Sequence, residues 1–449
     1  MRVLVHGSEL AAATAAAALS WVGHRVIWIP HPGDPWSRLS RADWLNREPR
    51  LAMQLEDSRA HGNLSIVEAD DLSEADGEGI DVLWLALSPE QRGDLAQPVA
   101  TLVRRAARGL VLVNNSTFPV GETERLEACL GEGIVAVALP DLLEEGRAWE
   151  TFTRPGRWLL GCDDAVSEAR VRELLRAFNR RSDVFQRMPR RAAELTKLAI
   201  NGMLATRLSY MNEIAGLADT LEVDVEHVRQ GMGADSRIGY EYLYPGCGFG
   251  GPNFSRDLMR LADVQSASGR HSLLLDQVLD INEHKKETLF RKLWSHFRGR
   301  LEGRTVAIWG AAFKPGTARI DHAPVLVLLD ALWAQGVRVR LHDPAAIPSL
   351  LSEVGDHPLL EVFDVDPYDA CHGADALMLV TEWKEYWNPD WGRLAGLLRE
   401  RLLLDGRNIY DPAWVAAQGL VYRGIGRRAN PLTERISVVD AGTSAGEGP

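Results

Sequence analysis

Residues 1–30 read MRVLVHGSELAAATAAAALSWVGHRVIWIP. A short apolar run, Val3 to Val5, meets Gly7. An alanine-rich stretch with helical character follows and stops at Gly23-His24. A second apolar run spans Val26 to Ile29. Strand, glycine turn, helix, strand is a βαβ unit. The alanine run could be mistaken for the apolar core of a signal peptide. It follows a strand-like start rather than a basic segment, so it is read as part of the fold.

The same pattern continues outward. Apolar runs recur in DVLWLALS from Asp81, GLVLVNNS from Gly109, GIVAVALP from Gly133 and RWLLGC from Arg157, with helical stretches between them. A parallel, doubly wound sheet is expected over 1–188. From about Ala192 the pattern changes. AAELTKLAINGMLATRLSYMNEIAGLADTL carries apolar residues at helical spacing without Gly-Pro punctuation, which predicts one long helix. The chain to about Arg298 reads as helical, apart from a glycine-rich loop at 246–251. At Arg304 the βαβ pattern restarts: TVAIWGAAFKPG, then the helix VLVLLDALWAQG, then strands in VRVRLHDP and ADALMLVTEW.

The expected fold class is therefore α/β: two Rossmann-like doubly wound parallel-sheet domains joined by a central helical region with one long helix. The expected divisions are 1–188, a dinucleotide-binding-type domain; 189–298, a helical domain; 299–436, a second Rossmann-like domain; and 437–449, a small, polar, glycine-rich disordered tail.

The 449 residues are 46% hydrophobic and 25% charged, an ordinary balance for a chain with large cores. A net charge of -12 argues against non-specific nucleic-acid binding, which needs a basic face. The four cysteines, Cys129, Cys162, Cys247 and Cys371, form no CxxC pair. That usage argues against a zinc site or a disulfide framework and suits a reducing compartment. No metal is expected. No apolar run reaches the length of a membrane span, so a cytoplasmic protein with no membrane partner is expected.

Several blocks then stand in a telling order: STFPVGETERL, LPDLLEEGRAWETF, ELTKLAINGMLATRLSYMNEIA, DSRIGYEYL, GFGGPNFSRD, WGAAFKP, VTEW and DGRNIYDP. Over almost its whole length the chain resembles the UDP-glucose/GDP-mannose dehydrogenases, which oxidise the C6 alcohol of a nucleotide sugar to a carboxylate with two NAD+. The resemblance implies site residues. Lys197 and Asn201, four apart on one helical face, would stabilise an oxyanion at C6. Asp257 would work with the lysine and a water. Thr117 and Glu145 would hold that water, while Asp141 stands where a glutamate is usual. Arg237 would reach substrate, often across a subunit boundary, and Lys314 would lie near the nucleotide. Gly248, Gly250 and Gly251 would let backbone approach the nucleotide sugar. Gly7, Ala12, Ser88 and Thr117 would face the NAD cofactor. The partners implied are a nucleotide sugar, with a UDP-sugar expected, and a second copy of the chain docked through the helical region. A hetero-oligomer with an active relative is a further arrangement kept open.

Four departures point away from the family's full reaction. The catalytic cysteine falls at Asn253, and a carboxamide is no nucleophile at neutral pH. Cys247 lies six positions earlier, where reach and direction are wrong. The G-x-G-x-x-G fingerprint becomes Gly7-Ser8-Glu9-Leu10-Ala11-Ala12. Glu9 adds a negative charge beside a diphosphate, a repulsion of about 1–4 kcal/mol at 4–5 Å depending on the dielectric. Pro30 replaces the acid that would bind the adenosine ribose, and it has no side-chain acceptor. In TARIDHAP, Thr317 to Pro324, a substrate-contacting arginine falls at Asp321, with Arg319 two positions earlier.

Three readings follow: an ordinary UDP-glucose 6-dehydrogenase; a pseudoenzyme that binds a nucleotide sugar or regulates a relative; and an altered enzyme using Lys197, Asn201 and Asp257. The lost nucleophile and altered fingerprint favour the second, with NAD binding weakened.

Overall fold

A computed structural model describes residues 1–427, apart from 8, 32–47, 89, 90, 92–98, 101–108, 132, 181, 268 and 271. Ser8 of the fingerprint and the expected tail at 437–449 lie outside the described residues. The chain divides into two compact units, 1–200 and 201–449.

The first unit opens with β1 (Arg2–Gly7), α1 (Glu9–Trp21) and β2 (Arg25–Pro30). It continues through α2 (Pro49–Ala60), β3 (Leu64–Ile66), β4 (Val82–Ala86), β5 (Leu110–Asn114), α3 (Glu122–Leu130) and β6 (Ile134–Ala138). Then come α4 (Ala148–Thr153), β7 (Trp158–Gly161), α5 (Ala165–Leu174) and β8 (Phe185–Met188). Among the described residues the strands form one sheet in the order β3-β2-β1-β4-β5-β6-β7-β8.

Side chains alternate across a strand, so β1 sends Val3 and Val5 to one apolar cluster and Leu4 to another. Both faces are thereby buried, which explains why these strands read as unbroken apolar runs. In α1, Ala12, Ala13 and Ala15 to Ala18 are all fully buried, and methyl groups alone let the helix lie close on the sheet. Gly7 is required by packing. A Cβ there would sit 2.0 Å from the Ala86 carbonyl oxygen of the paired strand β4.

The sheet is parallel except where β7 runs antiparallel to β6, at Ala138 opposite Gly161. The sheet is thus the parallel, doubly wound one expected over 1–188, with one antiparallel junction. Glycine at 161 suits the junction, since a Cβ there would lie 3.0 Å from the Ala138 Cβ of β6 and 2.8 Å from the Ala193 Cβ of the following helix.

The long helix α6 (Arg190–Leu221) leads into the second unit. There α7 (Val225–Ala234), α8 (Pro252–Ala267), α9 (Leu273–Lys286) and α10 (Thr288–His296) precede β9 (Thr305–Trp309). The remaining elements include α11 (Pro324–Trp333), β10 (Arg338–His342), α12 (Ile347–Val354), β11 (Leu360–Phe363), β12 (Ala376–Leu379), β13 (Leu402–Asp405) and β14 (Val421–Gly424). The second sheet is wholly parallel, in the order β11-β10-β9-β12-β13-β14. Val306 and Ile308 face one cluster, Ala307 and Trp309 the other, so it too is covered on both sides.

Substituting Gly7→Ala forces β1 and β4 apart. It is expected to destabilise the first unit by about 2 kcal/mol or more. Calorimetric unfolding of the variant beside the parent measures this, and an unchanged transition would contradict the packing account.

Candidate functional site

In the first unit the expected cofactor residues gather around the carboxyl ends of the strands, where open α/β sheets bind ligands. Pro30 ends β2 directly beside Gly7 in the sheet register and is buried. It offers a ribose hydroxyl neither a side-chain acceptor nor an N–H. Glu9 is the first residue of α1. Ala12 is fully buried in the core, so packing accounts for it without a ligand. The half-buried Ser88 donates its N–H to the Gln91 side chain at 2.9 Å. Pro30 and Ala12 thus place no polar side chain at this edge of the sheet.

The loop carrying half-buried Thr117 is fixed from both sides. Ser116 Oγ accepts the Leu87 N–H at 2.9 Å, and Asn115 Nδ2 donates to the Leu139 carbonyl at 2.7 Å. Further on, buried Glu194 of α6 accepts from the Gly121 and Thr123 N–H groups at 2.6 and 2.9 Å. That carboxylate caps α3 and ties the STFPVGETERL block to the long helix. Asp141 accepts the Leu143 N–H at 2.7 Å, so its shorter side chain shapes its own turn.

Glu48 was not legible in the sequence. It precedes α2, is almost wholly buried, and accepts N–H bonds from Gly146 and, at 3.2 Å, from Ala148. These amides flank the turn that carries Glu145. Burial pushes the Glu48 carboxyl up to about 7; Glu145 and Glu150 add repulsion, and the two backbone bonds oppose the rise. A raised folded-state value means the stabilisation is full below the ordinary carboxyl range and is lost as pH rises through about 7. Glu48→Gln keeps one acceptor and points an amide donor at the other N–H. The variant is expected to be less stable than the parent by about 1–2 kcal/mol at pH 5, with the gap narrowing by pH 8. Urea unfolding at both pH values checks this; a pH-independent gap would contradict it.

The second unit assembles the other residues. Asn201 Nδ2 donates to Asp257 Oδ2 at 2.6 Å, and both side chains are buried. Arg256 lies alongside, with Nε 3.4 Å from Asp257 Oδ1. Its Nη2 donates to Asn253 Oδ1 at 2.9 Å. Asn253 itself is exposed, near the start of α8. Lys197 lies one turn before Asn201 on α6 and is half-buried, within the residues of the first unit.

The glycine-rich loop is held by protein rather than left open. Asn282 brackets Phe249, accepting its N–H at 2.8 Å and donating to its carbonyl at 3.0 Å. Arg407 donates to the Val380 and Gly248 carbonyls at 2.6 and 3.1 Å. A Cβ on Gly250 would meet the His322 carbonyl oxygen at 2.7 Å, and one on Gly251 the Phe313 ring at 2.6 Å. The glycines are thus explained by close approach to their own unit. Cys247 is fully buried in the core beside this loop, and burial pushes its thiol up, partly offset by Arg407.

Arg237 is 86% exposed and pairs with its neighbour Asp235 at 2.6 Å. Lys314 lies over the Phe313 ring at 5.7 Å. Arg319 forms a two-pronged pair with Asp321, at 2.9 and 3.1 Å. Burial opposes ionisation of Asp321, but this guanidinium holds it below the usual carboxylate range. The pair borders a cavity of about 860 Å³ that Lys286 and Glu283 also line. After β10, Asp343 accepts from the Ala311, Ala312, Ala345 and Ala346 N–H groups at 2.7–3.0 Å, so its carboxylate serves the fold. Among the described residues no cluster of His, Cys, Asp or Glu could hold a metal, and no helix is long and apolar enough to cross a membrane.

Two doubly wound α/β sheets, a long helix between them in sequence and a polar group around Asp257 define the architecture of a nucleotide-sugar dehydrogenase. Residues 191–284 match the central domain of the UDP-glucose/GDP-mannose dehydrogenase family, and residues 307–412 its UDP binding domain. The UDP-glucose 6-dehydrogenase of Pseudomonas aeruginosa is 39% identical, across 95% of this chain and 98% of that protein. The Rhizobium meliloti UDP-glucose 6-dehydrogenase is 31% identical, across 95% and 100%. A UDP-glucose dehydrogenase structure from Pyrobaculum islandicum superposes with a TM-score of 0.80 at 27% identity, covering 95% of this chain and 98% of that one. The chain belongs to the UDP-glucose/GDP-mannose dehydrogenase family.

Proposed function

We propose that this chain is a nucleotide-sugar-binding member of its family that does not carry out the complete four-electron oxidation to a uronate. The observation that carries this reading is Asn253, whose carboxamide oxygen is engaged by Arg256 at the position where the family resemblance places a thiolate. An amide forms no sulfur adduct, and Cys247 is sealed in the core. Pro30 and Glu9 weaken the claim of NAD on the first unit. The proposed divisions are 1–188 for the degraded dinucleotide-type domain, 189–298 for dimerisation and 299–436 for the nucleotide, with Arg237 and Lys314 contacting the UDP-sugar.

Dimerisation through α6 is supported by Met203, Tyr210 and Leu217. They are 61%, 50% and 53% exposed and repeat every seven residues along one face. In such a pair the chain acts as a regulatory or scaffolding partner in the cytoplasm, with itself or with an active relative.

A second reading has a specific observation behind it. The Asn201–Asp257 pair is buried and joined at 2.6 Å, and with Lys197 one turn earlier on α6 it serves proton chemistry at C6 that needs no thiolate.

Titrating UDP-glucose and NAD+ separately by calorimetry is expected to show heat with the sugar nucleotide and little or none with the coenzyme. Absorbance at 340 nm is expected to stay flat with both present, and Asn253→Cys alone is expected not to restore it. Steady NADH production by the parent protein would defeat the proposal.

A further inference from the structure

The carboxamide of Asn253 is not merely a lost nucleophile, because its orientation is fixed. The Arg256 guanidinium only donates hydrogen bonds, so the group it touches at 2.9 Å must be the amide oxygen. The amide NH2 therefore turns to the other side of an exposed residue, carrying two N–H donors and no acceptor. Behind it, the charges of Arg256 and Asp257 offset one another, and Asn201 donates a further hydrogen bond to that carboxylate. A thiolate at position 253 would be electron-rich and would repel a neighbouring anion. The arrangement here is locally neutral and presents donors.

A primary alcohol can accept from such donors, but only through neutral hydrogen bonds. A carboxylate only accepts, and its hydrogen bonds are roughly twice as strong as neutral ones. We propose that the second unit recognises a nucleotide sugar already oxidised at C6, a nucleotide uronate, through the Asn253 amide. This rests on the reading above that position 253 adjoins the sugar C6. It names the ligand class that reading leaves open: the end product of the family's reaction rather than its substrate.

Calorimetric titration of the full chain with UDP-glucuronate, UDP-glucose and UDP tests it. The uronate is expected to bind about tenfold or more tightly than the alcohol, the margin between a charged and a neutral hydrogen bond. Asn253→Ala is expected to abolish that preference, bringing the two affinities to within about twofold of each other, and Asn253→Asp to reverse it. Unfolding midpoints of the variants confirm that they are folded. Equal or tighter binding of UDP-glucose by the parent overturns this inference and leaves the nucleotide-sugar reading standing. A uronate preference that survives Asn253→Ala overturns it as well. Binding of none of the three overturns both.

Discussion

The second unit turns on a single side chain, Asn282, which uses both ends of its carboxamide on the backbone of Phe249. That bracket fixes the glycine-rich loop from the α9 side, while Arg407 fixes it from the turn after β13. Between these anchors the loop passes so near His322 and Phe313 that only glycine fits at 250 and 251. Where α8 begins, and hence where Asn253, Arg256 and Asp257 stand, follows from this fastening. An unpaired buried amide at Phe249 would cost about 1–3 kcal/mol, which makes loop position and unit stability one question.

The sheets are fixed by two-faced burial of the strands, the alanine helix against β1 and the capping of α3 by Glu194. Asn253, by contrast, is exposed, and Pro30 ends a strand. Likeness of architecture fixes the fold, and the reaction belongs to the site.

The sequence displayed the architecture well where strands are central and buried. VLV, VLWLA and LVLVN read as strands because both of their faces are buried. It failed at short or edge strands. LSI at 64–66 is too short to register, FQRM at 185–188 and LEVF at 360–363 carry polar residues, and LLLD at 402–405 follows a leucine-rich helix. The antiparallel β6–β7 junction left no trace, because strand direction is set by the path of the connection and not by composition. In the candidate site, the contact of Asn201 with Asp257 joins residues 56 positions apart and was reachable only through the family resemblance. Glu48 and Asn282 were missed altogether, since one buried polar residue bonded to backbone resembles any other polar residue on paper.

The interior placement of Cys247 has a further consequence. Together with Cys162 and Cys371 it is shielded, and Cys129 is the one surface sulfhydryl among the described residues. Peroxide or an alkylating agent would meet a lone thiol on α3, remote in sequence from the α8 polar group. A protein built this way would keep its α8 polar group unmodified under oxidative stress.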